Sequence, residues 1–210
     1  MSLGLGEDAI PAVFVIGTAG SGKSTVAKSI ASAMGASYLD KDTVANIFTG
    51  AMLETNGESP AARDDSEFYT GTIRPLEYST LLAIGSENLR LGNPIVLDAP
   101  FGAYFQQTDY ISAIAAEHQW SPHVFPFVVR VSSSEDVTKQ RLRSRGLDRD
   151  LWKLNNWEQF WSEVGKAHPE WDSVQIVDFT NDADLPAPEL ASVILQEIEK
   201  SLSGKDLATP

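Results

Sequence analysis

The run Gly17-Thr18-Ala19-Gly20-Ser21-Gly22-Lys23-Ser24-Thr25 fits G-x-x-x-x-G-K-[ST] at every constrained position. Glycines let such a loop turn back on itself, so that successive backbone N–H groups converge on phosphate oxygens. A helix that follows adds its unpaired N–H groups and the positive end of its dipole. Lys23 then bridges the β- and γ-phosphates, and the Ser24 hydroxyl takes a Mg²⁺ coordination position. The motif constrains only four positions, so its setting decides. Ala12-Val13-Phe14-Val15-Ile16, a short apolar run, precedes it, and Val26 to Met34, with apolar residues at helical spacing, follows. Strand, glycine loop and helix are the setting that nucleotide binding requires.

Two other groups of residues could work on the same phosphates. Asp98 ends the apolar stretch Pro94-Ile95-Val96-Leu97, and a strand-end carboxylate at the carboxyl edge of a sheet can orient a Mg²⁺-bound water. Its ordinary alternative is to cap the turn through Ala99-Pro100-Phe101-Gly102. Between Lys139 and Lys153 lie six of the 16 basic residues, opposed only by Asp148 and Asp150. That is a local excess of +4 in a chain of net charge −13. Arg141 and Arg145 are four apart and share a helical face, and Arg149 lies just beyond Gly146. Such arginines, Arg145 and Arg149 foremost, suit a lid that closes over phosphates and excludes water. The alternative is a solvated helix face paired with Asp148, Asp150 and Glu135.

The elements that must hold these groups follow from periodicity. Ser37-Tyr38-Leu39 is expected as a second strand, followed by a helix through Val44, Ile47, Phe48, Ala51 and Met52. Asn56 to Asp65 is expected as a loop, and Pro75 suits the first turn of a helix reaching about Leu91. Strands are expected at Pro94–Asp98, Val124–Val131 and Val174–Asp178, and helices at Gln107–His118, Glu135–Arg145, Asp150–Gly165 and Pro188–Leu202. Strands alternating with helices predict an α/β fold with a parallel sheet and right-handed crossovers. One domain is expected over residues 1–210, with a lid at about 141–167 and frayed ends at 1–8 and 203–210.

With 42% apolar and 21% charged residues, the chain has an ordinary globular balance, which excludes wholesale disorder. The absence of cysteine excludes disulfides, thiolate metal sites and cysteine nucleophiles. His118, His123 and His168 show no metal-ligand spacing. The negative charge argues against gripping a nucleic-acid backbone. No uncharged apolar run reaches the roughly 18–20 residues of a membrane span, and a signal-peptide pattern is missing. A soluble, cytoplasmic protein without a membrane partner is expected.

Phosphate loops serve GTPases, motor ATPases and kinases. The chain lacks the Asn-Lys-x-Asp that selects guanine, and Asp98-Ala99-Pro100-Phe101 lacks the glycine that GTPases place three residues after the strand-end Asp. It is also short for a ring ATPase with a helical lid domain. Taken with the loop, Leu39-Asp40-Lys41-Asp42, Val96-Leu97-Asp98-Ala99-Pro100-Phe101 and the stretch Arg141 to Asp150 resemble the AAA-like P-loop kinases. That group includes polynucleotide kinases and relatives of zeta-toxin and small-metabolite kinases. The resemblance runs from Val13 to Asp178. It implies a three-layer fold with a five-stranded parallel sheet in order 2-3-1-4-5, helices on both faces and a helical lid. It also implies ATP and Mg²⁺ as cofactors and transfer of the γ-phosphoryl to a hydroxyl.

In similar kinases an Asp just after strand two faces the acceptor hydroxyl, and Asp42 falls there. Its alternative role is to cap a helix starting at Thr43, with Asp40 as the second candidate base. Arg74, near Tyr78 and Asn88, lies in the region resembling the acceptor-side element, either anchoring a negative group of the acceptor or standing exposed at a helix start. By the same resemblance Arg141 and Arg145 join the loop in binding ATP, and Thr180 and Asn181 approach the adenine. Of the five tryptophans, Trp152, Trp157, Trp161 and Trp171 cluster and are expected mainly in lid and core packing. Polynucleotide-type members carry an Arg three residues after the base, where this chain has Ala45. A small hydroxyl-bearing molecule is therefore expected as acceptor. The alternatives are a nucleic-acid 5′-hydroxyl and a regulatory ATPase without an acceptor.

Overall fold

A computed structural model describes residues 8–63, 66–147, 150–164 and 168–203. The apolar run before the glycine loop forms β1 (Ile10–Gly17), with six consecutive buried residues. A strand so apolar must be covered on both faces, and β1 lies at the centre of the sheet. It pairs in parallel with β3 (Ile95–Asp98) and β4 (Val124–Ser132). β2 (Ser37–Asp40) flanks β3, and β5 (Gln175–Thr180) flanks β4. The order is 2-3-1-4-5 with every pair parallel, as expected. Register sets Val15 beside Asp98 and Asp98 beside Asp40, so the chemistry-bearing ends meet at one edge.

Eight α-helices are described: α1 (Lys23–Met34), α2 (Lys41–Thr55), α3 (Arg74–Arg90), α4 (Tyr110–Glu117), α5 (Glu135–Arg145), α6 (Leu151–Asn155), α7 (Trp157–Val164) and α8 (Ala187–Ser203). Side chains alternate across β1, which splits the core in two. Val13 and Val15 pack with Val26 and Ile30 of α1 and Ile194 and Ile198 of α8. Phe14 and Ile16 pack on the other face with Leu81 of α3, Ile111 of α4 and Phe101. Burial of a side chain such as Phe14 contributes about 1.5–3 kcal/mol, so these layers hold the edge rigid.

Two differences from the expected elements have local causes. Within the stretch expected as one helix, residues 151–164 form two, because Asn156 leaves helical geometry (φ −118°, ψ 48°) and its Nδ2 donates to the Trp152 carbonyl at 2.9 Å. An Asn side chain that bonds the backbone competes with the helix ladder. Before α3, Tyr69–Ile73 winds a π-helical turn that runs directly into it. Apolar periodicity carries no signal for such a turn, which is often found at functional sites.

Candidate active site

The carboxyl edge of the sheet opens into a cleft of about 1610 Å³. One end is the loop between β1 and α1. Gly22 has φ +83°, and a Cβ there would lie 2.2 Å from Nδ2 of Asn181. Gly17 passes so close to Val131 that a Cβ would lie 2.5 Å from its carbonyl oxygen. Only glycine fits either place. Helix α1 begins at Lys23 with no side-chain cap, which leaves first-turn N–H groups for an anion. Arg141 braces this loop: Nη1 donates to the carbonyls of Ser21 (3.2 Å) and Asn181 (2.8 Å). Asn181 Nδ2 donates to the same Ser21 carbonyl at 3.0 Å.

Asp98 stands behind the loop with 0% of its surface exposed. Lys23 Nζ pairs with its Oδ1, and the Tyr38 hydroxyl donates to Oδ2 at 2.7 Å. Burial, and then the Asp98 carboxylate, push the Tyr38 phenol far above its ordinary pKa, so it is a donor at neutral pH. Among the described residues no group of three or more His, Cys, Asp or Glu could hold a metal by itself. Ser24 and Asp98, both lining the cleft beside the loop, form a sparse oxygen set. That set fits Mg²⁺, which keeps water and shares phosphate oxygens.

At the other end, α2 begins at Lys41, two residues before the expected Thr43. Asp40 is its N-cap, accepting from the Asp42 N–H (3.1 Å) and Thr43 Oγ1 (2.7 Å). The capping role thus falls to Asp40, and Asp42 sits in the first turn, part-exposed on the cleft wall. Lys41 Nζ lies 3.2 Å from Asp42 Oδ1 and 2.8 Å from Glu77 Oε2. Glu77, only 3% exposed, also accepts from Thr49 Oγ1 (2.5 Å), the Tyr69 hydroxyl (3.0 Å) and Arg63 Nη1 (3.3 Å). Burial works to raise the Glu77 carboxyl, yet the Lys41 and Thr49 donors hold it below the ordinary range. Burial likewise opposes the Lys41 ammonium, but its bond to Glu77 and the fields of Tyr69 and Asp42 raise its pKa.

Sequence reasoning missed Lys41, Arg63, Tyr69 and Glu77. The signal available was Glu77 itself, spaced four from Ile73 and from Leu81 on a buried face. Arg63 lines the cleft and its Nη2 donates to Asn46 Oδ1 at 2.7 Å. Arg74 opens α3 and is not among the described residues lining the cleft. Tyr78 lines it and accepts from the Phe101 N–H at 3.0 Å, whereas Asn88 accepts from Ser37 Oγ and ties α3 to β2.

Over the loop, Arg145 grips Asp150 through two nitrogens, Nη2 to Oδ1 at 2.7 Å and Nε to Oδ2, and Lys153 Nζ lies 3.6 Å away. Asp150 is 0% exposed, so this ion pair is buried on the Asp150 side. Arg145, Lys153 and Trp152 line the cleft, and Arg149 lies outside the described residues. Trp157 is buried and stacks on Trp161, while Trp171 belongs to the aromatic core around Phe101. Thr180 ends β5, and the cleft wall beyond Asn181 is made by Asp182 and Asp184.

In sequence, the AAA domain family matches residues 13–163. The chain belongs to this family. Among solved structures, this AAA domain resembles a sugar kinase from Janibacter sp. HTCC2649 at 15% identity and TM-score 0.54, covering 91% of this chain and 95% of that one. A gluconokinase from Sinorhizobium meliloti 1021 aligns at 17% identity and TM-score 0.51, covering 92% and 94%. A shikimate kinase from Bacteroides thetaiotaomicron aligns at 16% and TM-score 0.54, covering 92% and 98%. No curated protein matches the sequence. At these identities the likeness is one of fold, and the fold of this AAA domain is that of the P-loop kinases. Among the described residues no helix is long and apolar enough to cross a membrane.

Proposed function

We propose that this chain moves the γ-phosphoryl group of ATP to a hydroxyl of a small molecule, in the cytoplasm. The observation that carries the reading is one cleft with the phosphate loop at one end and the Asp42 carboxylate at the other. The chain's structural neighbours, a sugar kinase, a gluconokinase and a shikimate kinase, support a small acceptor. When bound, ATP supplies the phosphoryl group and Mg²⁺ offsets its charge. Residues Gly17 to Thr25 cradle the phosphates, and Lys23 leaves Asp98 for the β/γ oxygens. Ser24 and Asp98 would hold the metal, which would offset charge on the phosphates. Asp42 receives the proton of the acceptor hydroxyl as that oxygen bonds to phosphorus and the bond to the β-phosphate oxygen breaks, releasing ADP.

Residues 141–167 act as the lid, with Arg145 and Arg149 stabilising charge on the phosphoryl group and Arg141 bracing the loop. Arg63, which lines the cleft, anchors the acceptor in place of Arg74. The test is labelled ATP with Mg²⁺ against a panel of sugars, sugar acids and hydroxy acids, beside 5′-hydroxyl DNA and RNA, with products identified by mass spectrometry. One small molecule is expected to gain phosphate, and Asp42→Asn to suppress that transfer while ATP affinity holds. Label transfer to an oligonucleotide that weakens steeply with salt would refute the small acceptor. Failure to bind ATP would refute the whole reading.

A further inference from the structure

Tyr38 belongs neither to the phosphate loop nor to the acceptor wall, yet it reaches the carboxylate behind both. Its backbone is on β2, an edge strand, where it sits in register with Val96 of β3. The ring is half-buried against the α1 side of the core, with Lys28 Nζ 5.6 Å from its centroid. The hydroxyl donates to Asp98 Oδ2 at 2.7 Å. The phenol therefore bonds the carboxylate of the Mg²⁺ set. In the present arrangement Asp98 is satisfied twice, by Lys23 on Oδ1 and by Tyr38 on Oδ2.

Nucleotide binding changes that balance. Once Lys23 turns to phosphate, Asp98 is a carboxylate with no exposed surface that has lost its cation. A buried charge without compensation is costly, and a free carboxylate would rotate toward whatever donor remained. Tyr38 keeps its bond through the change, because it donates to Oδ2 while Lys23 pairs with Oδ1. The bond fixes Oδ2 and leaves Oδ1 pointing at the place that Lys23 vacates. Outer partners of this kind orient a metal's carboxylate and tune its affinity.

We infer that Tyr38 is a positioning residue for the metal: it holds the Asp98 carboxylate in place when Lys23 moves to the nucleotide, so that Oδ1 can take a Mg²⁺-bound water. The inference rests on the proposed ATP–Mg²⁺ reading and adds to it a residue that acts through Asp98. It accounts for a tyrosine hydroxyl aimed at Asp98, where a phenylalanine would fill the same apolar space.

The test is Tyr38→Phe, which keeps the ring and its packing. The melting temperature is followed as Mg²⁺ is added at fixed adenylyl imidodiphosphate, a non-hydrolysable ATP analogue, for wild type, Tyr38→Phe, Asp98→Asn and the double variant. Tyr38→Phe is expected to raise the Mg²⁺ midpoint by about tenfold while the shift with nucleotide alone stays at the wild-type value. In the Asp98→Asn background, adding Tyr38→Phe is expected to move the midpoint no further, since its effect passes through that carboxylate. A Tyr38→Phe midpoint equal to wild type overturns the inference and leaves the nucleotide reading intact. An additive loss in the double variant also overturns it, because the phenol then serves the fold at large. A wild-type protein that nucleotide does not stabilise refutes the nucleotide reading, and the inference with it.

Discussion

Glu77→Ala is expected to lower the free energy of unfolding by about 3–5 kcal/mol, the cost of breaking a buried ion pair from one side. Glu77 is 3% exposed and accepts from four side chains drawn from α2, the segment before the π-turn, and the turn itself. Its loss deprives Lys41, whose side chain is 7% exposed, of its 2.8 Å partner, so a buried ammonium leans on Asp42 at 3.2 Å. The Thr49 and Tyr69 hydroxyls lose their acceptor as well, and each buried orphan costs about 1–3 kcal/mol on its own. Arg63 contributes less, since its side chain is 25% exposed and water can replace the carboxylate. Glu77→Gln keeps the volume and an oxygen acceptor, so its loss falls between wild type and alanine.

The assay is urea unfolding at neutral pH, repeated across pH. The Glu77 carboxyl is held below its unfolded value, so its stabilisation is present above the ordinary glutamate range and fades as pH falls through the folded value. Lys41 is raised, so its share is complete below the ordinary lysine value and fades as pH climbs through the folded one. The gap between wild type and Glu77→Ala should therefore be flat at neutral pH and close at both extremes. An alanine variant within about 1 kcal/mol of wild type, or a gap that persists unchanged into acid, would refute the buried-pair reasoning.

Gly22→Ala places a Cβ 2.2 Å from Asn181 Nδ2 in a left-handed backbone, and should cost about 1–3 kcal/mol and abolish the ATP-induced rise in melting temperature, read by differential scanning fluorimetry. Asp150→Asn loosens the grip on Arg145. It should lower kcat for the acceptor found in the panel while the ATP Kd from calorimetry stays near wild type, whereas equal losses in both would place Arg145 in ground-state binding.

What could be read directly from the chain was whatever depends on near neighbours. The glycine loop, its flanking strand and helix, the continuous apolar run of β1 and the Gly146 stop of α5 are matters of local spacing and backbone freedom. The sheet order followed from resemblance, because parallel crossovers bring together strands that local patterning leaves unassigned. The division of labour between Asp40 and Asp42 turned on where one helix begins, a matter of two residues that periodicity does not resolve.

The rest was decided by tertiary structure. Arg141 braces a carbonyl 120 residues away, and Lys41 meets Glu77 across 36. Arg63 is among the described residues lining the cleft, whereas Arg74, equally basic and the first residue of the long helix, is not. A charge in a sequence declares its sign and reach but not its partner. The partner is chosen when apolar faces pack and the burial of each charge forces it to find a counter-charge within about 3–4 Å.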